Sequence, residues 1–271
     1  MKKVILITGA SAGMGKAFAE ELFKDGHIVY GAARRIERME ELRQLGVNVL
    51  PLDVTNEDSM TAAIKTIIYK EGRIDVLINN AGFGSYGAIE DVSIADARYQ
   101  LEVNVFGAAR LIQLVLPHMR SQHSGTIINI SSIGGKLAMG LGGWYHASKF
   151  ALEALSDSLR NEVEQFGINV VVIEPGGIKS EWGGIAADNL LKTSGDGVYS
   201  TIAHKFANAL TQSIEQNIPG PIVIVELIRK AIAAKKPKTR YHGGYLAGIA
   251  LFMRKILSDR MFDKVMQSQL K

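Results

Sequence analysis

The sequence predicts an α/β fold: one doubly wound parallel sheet with helices on both faces and a helical extension at its carboxyl end. Three observations point there. Short β-branched runs alternate with longer segments of helical period, the pattern of βαβ units whose strands are buried on both faces. A glycine-rich turn follows the first run at once. The 271 residues, 47% apolar and 21% charged, have the composition and length to bury one large core.

Taken in order, the expected strands are Val4–Thr8, His27–Ala32, Val47–Leu52, Ile74–Asn79, Gly125–Ser131, Ile168–Glu174 and a last short one at Thr239–His242. The first helix should begin near Gly13 and stop at Asp25-Gly26, where glycine can take the left-handed cap. Another starts at Thr55 to Asp58, with acids at its positive end. A long helix is expected from Gly143 to Phe166, and others over Thr201–Gln216 and Ile222–Ala234. Residues 1–243 read as one domain, with 177–201 as a lid over it and 244–271 as a C-terminal amphipathic helical extension of it. Crossovers between parallel strands are right-handed, so ligands are expected at the carboxyl ends of the strands, where the strand order reverses.

Charge and composition exclude several classes. The net charge is +4, but eleven Lys or Arg against two Asp lie from Arg229 to Lys271, so the body of the chain is acidic. A basic nucleic-acid groove is not expected. The absence of cysteine removes disulfides and thiolate metal sites, and no metal site is expected. The apolar run after Met1-Lys2-Lys3 is broken by Thr8-Gly9, so it reads as a buried strand and not as a secretion signal. No run of roughly 18 apolar residues predicts a membrane span, and a cytoplasmic location is expected.

Thr8-Gly9-Ala10-Ser11-Ala12-Gly13-Met14-Gly15 joins the first strand to the first helix. Glycines let the turn tighten and the backbone approach a diphosphate, while the helix start offers unpaired N–H groups and a positive dipole end. A plain strand-to-helix turn is the alternative. The acid that would take a ribose 2′-hydroxyl about 20 residues on is missing; the second strand ends Ala32-Ala33-Arg34-Arg35 instead. A guanidinium fits a 2′-phosphate, which points to NADP(H) over NAD(H), with Arg34 leading. Two solvated arginines pairing with Glu37 or Glu40 are the plainer reading of the same residues. Asp53 is placed to receive an adenine amino group, and Asn79-Asn80-Ala81-Gly82 to brace the sheet edge beside the adenosine.

Tyr145 and Lys149 lie four apart at the start of a predicted helix and so share a face. An ammonium about 4 Å from a phenol at an effective dielectric of about 20 is worth roughly 4 kcal/mol, on the order of three pKa units, which brings the phenol towards neutrality. A general acid/base works best there. Ser132, thirteen residues before Tyr145 and separated from it by a glycine-rich loop, can hydrogen-bond the same substrate oxygen.

With these residues in place the chain resembles the short-chain dehydrogenase/reductase family, of the single-domain Rossmann type. The family pattern TGxxxGxG is met by Thr8, Gly9, Gly13 and Gly15, NNAG by Asn79 to Gly82, and YxxxK by Tyr145 and Lys149. The resemblance implies that Tyr145 exchanges a proton with the carbonyl or alcohol oxygen, which Ser132 steadies. It implies that Lys149 lowers the phenol pKa and binds the nicotinamide ribose, and that Asn104 helps hold a water passing protons to Lys149. It further implies cofactor contacts from Gly9, Ser11, Gly13, Met14, Gly15, Arg34, Arg35, Asp53, Val54, Asn80, Ala81, Gly82, Tyr145 and Lys149, and from Pro175, Gly176, Ile178 and Ser180. There are two departures: the family's PGxxxT segment ends here in Ser180, and Ala12 stands where NADP-using relatives often carry a basic residue.

The segment after Gly177 offers Trp182, Ile185, Leu190, Leu191 and Tyr199, with Gly183-Gly184 and Gly195 as hinges; Leu137, Met139, Leu141 and Trp144 offer the opposite wall. An apolar ketone or secondary alcohol of steroid, retinoid or lipid type is the expected substrate, touched by Ser132, Leu137, Tyr145, Gly176 and Trp182. The extension resembles the steroid- and retinol-dehydrogenase-like branch. Its apolar residues Leu246, Ile249, Ala250, Met253, Ile256 and Leu257 follow helical spacing beside Arg254, Lys255 and Arg260. It reads as a helix over the cleft mouth or a subunit contact, with peripheral membrane contact as the sharper alternative. A homodimer or homotetramer is expected, with the long helix from Gly143 as its face. The rival functions are a catalytically idle nucleotide sensor, which would need no Ser-Tyr-Lys set, and a sugar epimerase, which would need a larger substrate domain.

Overall fold

Seven short apolar runs become the strands of one sheet in the computed structural model, which describes residues 1–212 and 218–268. The strands are β1 (Val4–Thr8), β2 (Ile28–Ala33), β3 (Asn48–Pro51), β4 (Val76–Asn79), β5 (Gly125–Ile130), β6 (Ile168–Pro175) and β7 (Arg240–Gly243). All pair in parallel in the order β3-β2-β1-β4-β5-β6-β7. The order reverses between β1 and β4, so the carboxyl ends of those two strands flank the switch-point crevice.

Alternate strand residues feed opposite cores, as period-two side chains must. Leu6, Tyr30, Leu77, Ile127 and Val170 face α3 (Glu57–Glu71), α5 (Gly107–Ser121) and α6 (Gly143–Val163), meeting Ile64, Ile67, Leu111, Val115 and Leu159. Ile5, Ile7, Val29, Ile78, Ile128 and Ile173 face α1 (Gly13–Lys24), α2 (Glu40–Leu45) and α9 (Ile222–Ala233), meeting Phe18, Leu22, Leu42 and Ile228. Each such side chain removed from water contributes about 1.5–3 kcal/mol, so both helical layers are pinned to the sheet by burial.

Expected strand boundaries and observed ones differ by a residue or two. The helical differences are larger. Where one helix was expected after β4, α4 (Ile94–Leu101) runs through a π-helical turn, Glu102–Phe106, into α5. Asn104 stands in that turn and not in a regular helix. The helix expected over Thr201–Gln216 is α8 (Ser200–Gln212); its last expected residues lie outside those described. The long helix ends at Val163 and tightens into a 3-10 turn at Glu164–Phe166. Beyond β7 there are two helices instead of one, α10 (Ala247–Ile256) and α11 (Asp259–Ser268). Among the described residues no helix is long and apolar enough to cross a membrane.

Candidate active site

The glycine turn is held open by its neighbours across the switch point. Thr8 Oγ1 accepts the backbone N–H groups of Asn80 and Ala81, both at 3.0 Å, and Asn80 Nδ2 donates back to the carbonyls of Thr8 (2.9 Å) and Gly9 (3.3 Å). Gly9 and Gly13 have φ of +68° and +54°, in the left-handed region that favours glycine. At Gly15 a Cβ would stand 2.3 Å from the Gly9 carbonyl oxygen, so no side chain fits there. Ala12 gives α1 no side-chain cap and no acid stands in its first turn, which leaves the helix-start N–H groups and positive dipole end available to an anion. Met14 turns its side chain into the core under α1. The turn and helix start therefore fit a dinucleotide diphosphate.

At the carboxyl end of β2, Arg34 and Arg35 are exposed. Neither pairs with Glu37 or Glu40; Arg34 Nη1 donates to the Tyr99 hydroxyl at 2.8 Å, and Glu40 is held by Arg43. Asp53 Oδ1 accepts from Thr55 N at 2.9 Å and Thr55 Oγ1 at 2.8 Å, which fixes the loop after β3 and sets Val54, 8% exposed, against the neighbouring core. Asn79 Nδ2 donates to Asn129 and Asn129 to Ser156, a buried chain linking β4, β5 and α6.

Across the crevice, Tyr145 and Lys149 come off the first turns of α6 and are buried, at 8% and 7% exposure. Ser132, just past β5, accepts Gly134 N at 3.0 Å and reaches Pro175 O at 3.5 Å, and its hydroxyl favours the ionised form of the Tyr145 phenol. Lys149 Nζ lies 6.0 Å from the Tyr145 ring centroid and donates to Ile130 O at 2.9 Å. The expected lowering of the phenol is therefore not what this geometry gives. Burial pushes Tyr145 up to about 12, offset in part by Ser132, because desolvating a phenolate costs more than a distant ammonium returns. Burial pushes Lys149 down to about 8, against the pull of Glu153.

Asn104 and Lys149 both approach Gly82: Asn104 Oδ1 and Lys149 Nζ fall 3.1 Å and 3.6 Å from where a Gly82 Cβ would be. Its amide donates to Phe83 O and Ser148 Oγ, both at 2.9 Å, so it ties the π-helical turn to α6. Beyond β6, a Cβ on Gly176 would meet Tyr245 O at 2.4 Å, so extended chain and sheet edge are in close contact. Ile178 packs on the core below, and Ser180 Oγ accepts Trp182 N at 3.4 Å at the start of α7 (Trp182–Ser194). The Ser180 side chain also lies 3.7 Å from the Cβ position of Gly13, which brings the β6 loop up to the glycine turn.

Trp182 covers the phenol, with its ring centroid 5.5 Å from that of Tyr145. Two residues not singled out from the sequence join it: Tyr86, 5.5 Å from Tyr145 and 5.8 Å from Trp182, and Phe206, 5.9 Å from Tyr86. Tyr86 follows Asn79–Gly82 in the same crevice loop, and Phe206 shares a helical stripe with Ala203, Ala207 and Leu210; those two signals mark them. Met139, Leu141, Leu190 and Leu191 complete this apolar cluster, whereas Leu137 and Trp144 pack outside it and Ile185 is exposed. The expected hinges are not loop residues: Gly183 and Gly184 lie inside α7, and Gly195 caps it. The neighbouring His146 donates through Nδ1–H to Gly134 O at 3.0 Å, pinning the loop that carries Ser132, and burial keeps its pKa low.

A glycine turn at a switch point, facing a buried Tyr–Lys pair with a serine on the phenol, defines a dinucleotide-dependent oxidoreductase. Comparison with known proteins agrees. Residues 3–189 match the family described as short chain dehydrogenase. The chain is 38% identical over 265 residues, 96% of its length and 95% of the relative's, to 3-ketodihydrosphingosine reductase of Bacteroides thetaiotaomicron. It is 34% identical over 281 residues, 98% and 96% of the two lengths, to NADPH-dependent 3-dehydrocapnine reductase of Ornithobacterium rhinotracheale. Among solved structures it resembles a short-chain dehydrogenase from Streptomyces avermitilis, with 31% identity, a TM-score of 0.81 and coverage of 99% of this chain and 95% of that one. The chain belongs to the short-chain dehydrogenase/reductase family, and it is an oxidoreductase.

Proposed function

We propose that this protein transfers a hydride between NADP(H) and the carbonyl or carbinol carbon of an apolar lipid ketone or alcohol, with Tyr145 as acid/base. One observation carries the reading: the buried Tyr145 phenol, the Ser132 hydroxyl that acts on it and the Lys149 ammonium 6.0 Å from its ring gather past the carboxyl end of β5, across the switch point from the glycine turn.

The nicotinamide, when bound, supplies or takes the hydride. Gly9, Ser11, Gly13, Met14 and Gly15 with the uncapped start of α1 would hold the diphosphate. Arg34, which bonds the Tyr99 hydroxyl, and its exposed neighbour Arg35 would take the 2′-phosphate. Asp53, Val54 and Asn80 to Gly82 would flank the adenosine, and Pro175, Gly176, Ile178 and Ser180 the nicotinamide side. A phenol held near 12 is protonated at neutral pH, the form that donates to a ketone oxygen as it gains charge. Ser132 donates to the same oxygen. Lys149, 6.0 Å from the Tyr145 ring centroid and held by Ile130, would offset at longer range the charge left on Tyr145 and bind the ribose. Asn104, which approaches Gly82 as Lys149 does, would hold a water that returns a proton to Lys149.

The aromatic and aliphatic cluster of Tyr86, Met139, Leu141, Trp182, Leu190 and Phe206 gives the substrate its apolar surroundings, with residues 177–201 as the lid. The names of the two reductases reported above, for 3-ketodihydrosphingosine and 3-dehydrocapnine, favour a substrate of that keto kind over a steroid or retinoid. The exposed apolar stripe of α10 beside basic residues would let the protein rest on an anionic membrane, and α6, with Phe150 exposed, would join copies. The test is a panel of long-chain ketones, steroid ketones and small hydrophilic sugars, with NADPH or NADH consumption followed by absorbance. Saturable turnover of the apolar ketones with NADPH is expected; turnover of sugars alone would refute the assignment.

A further inference from the structure

Under the catalytic helix lies a buried group of charges that the proposed chemistry leaves unused. Glu153, one turn beyond Lys149 on α6, and Glu174, next to last in β6, are each 3% exposed, and their carboxyls converge on one Arg240 nitrogen. Glu153 Oε2 is bound at 3.0 Å by both Lys136 Nζ and Arg240 Nε. Glu174 Oε1 is 3.4 Å from the same Arg240 nitrogen, too far for a full share of it. Oε1 of each glutamate is left without a hydrogen-bond partner, as is the buried hydroxyl of Ser131 close by. Ionised carboxylates only accept, so two of them cannot bond each other; one proton between them satisfies both oxygens.

The surroundings set what that proton does. Among the described residues, the charged groups facing the pair are Lys136 ahead of it, Arg240 on β7, Asp157 on α6 bound by Arg240 and Arg160, and Lys149 one turn up the helix. His242 is the ladder partner of Glu174 and is exposed. Glu174 also immediately precedes Pro175, whose carbonyl is reached by the Ser132 hydroxyl, so the pair underlies both sides of the site.

We propose that Glu153 and Glu174 share one proton at neutral pH and act as a positioning pair behind Lys149, and that release of this proton to solvent adds a negative charge that keeps the ammonium charged to higher pH. The proposal rests on the role given to Lys149 above. Burial, reinforced by Glu153, pushes Glu174 up to about 7, while Glu153 opposes the fall of Lys149. No oxidant or co-reactant enters; one O–H bond is exchanged between a carboxyl and water.

Infrared difference spectra of the full-length protein between pH about 6 and about 9 test the shared proton without any turnover. The expected result is loss of a protonated-carboxyl band as pH rises, and its absence from both Glu174→Gln and Glu153→Gln. In the pH profile of kcat/KM, Glu174→Gln should move the alkaline limb down by about one pH unit, the scale on which one nearby charge shifts a buried group. A wild-type spectrum with no such band, or a band that survives both substitutions, overturns the proposal. So does an alkaline limb that stays in place in Glu174→Gln. If the wild type shows the band but turns over no ketone, the assigned activity fails and the proton pair stands.

Discussion

Replacing Thr8 with valine keeps the shape of the side chain and removes one oxygen from the switch point. That oxygen is 1% exposed with its residue and accepts two backbone N–H groups, from Asn80 and Ala81, at 3.0 Å each. Its own donation, to Ile78 O, is long at 3.4 Å. The loss therefore falls on the two stranded donors. A buried donor left unsatisfied costs about 1–3 kcal/mol; with some relaxation the pair should cost about 2–4 kcal/mol. For a domain of this size each kcal/mol moves the melting temperature by about 2–4 °C, so Thr8→Val should melt roughly 5–15 °C below wild type. Thr8→Ser, which keeps the oxygen, should lose only the contribution of a methyl, about 1 kcal/mol. Thermal unfolding followed by circular dichroism separates the two. If valine costs no more than serine, the hydroxyl does not secure the glycine turn and the account of this crevice is wrong.

Two further substitutions address specificity. Arg34→Ala removes the guanidinium that has only a tyrosine hydroxyl for a partner, and should weaken NADPH binding about tenfold or more while leaving NADH within about twofold, measured by fluorescence titration. Equal losses for the two cofactors would place the 2′-phosphate elsewhere. Trp182→Ala opens the cap over Tyr145 and should raise KM for apolar ketones about tenfold or more with a smaller change in kcat; an unchanged KM would remove Trp182 from the substrate wall.

The frame was legible in the sequence because its signals are local. Compact apolar runs fix the strands, and the glycine turn, Asn79–Gly82, Ser132 and Tyr145–Lys149 each announce themselves within a few residues. What escaped is made by contacts between distant segments. Tyr86 and Phe206 meet Trp182 only after a crevice loop, α7 and α8 are folded together, and each alone looks like an ordinary packing residue. The same holds for Glu153, Glu174 and Arg240, drawn from a helix and two strands. Helical spacing put Tyr145 and Lys149 on one face, but it could not show that Lys149 bonds Ile130 and that burial governs the phenol. The π-helical turn holding Asn104 is likewise invisible to a period of 3.6, since its extra residue is accommodated by contacts to Phe83 and Ser148.

The proton-transfer role of Tyr145 is the claim on which the rest depends. Tyr145→Phe, assayed by stopped-flow and steady-state NADPH oxidation with the best ketone of the panel, removes one hydroxyl from a ring that stays packed between Tyr86 and Trp182. The account predicts a fall in kcat of at least about 100-fold with NADPH affinity changed no more than about threefold. A variant that still turns over the ketone at near wild-type rate would contradict it.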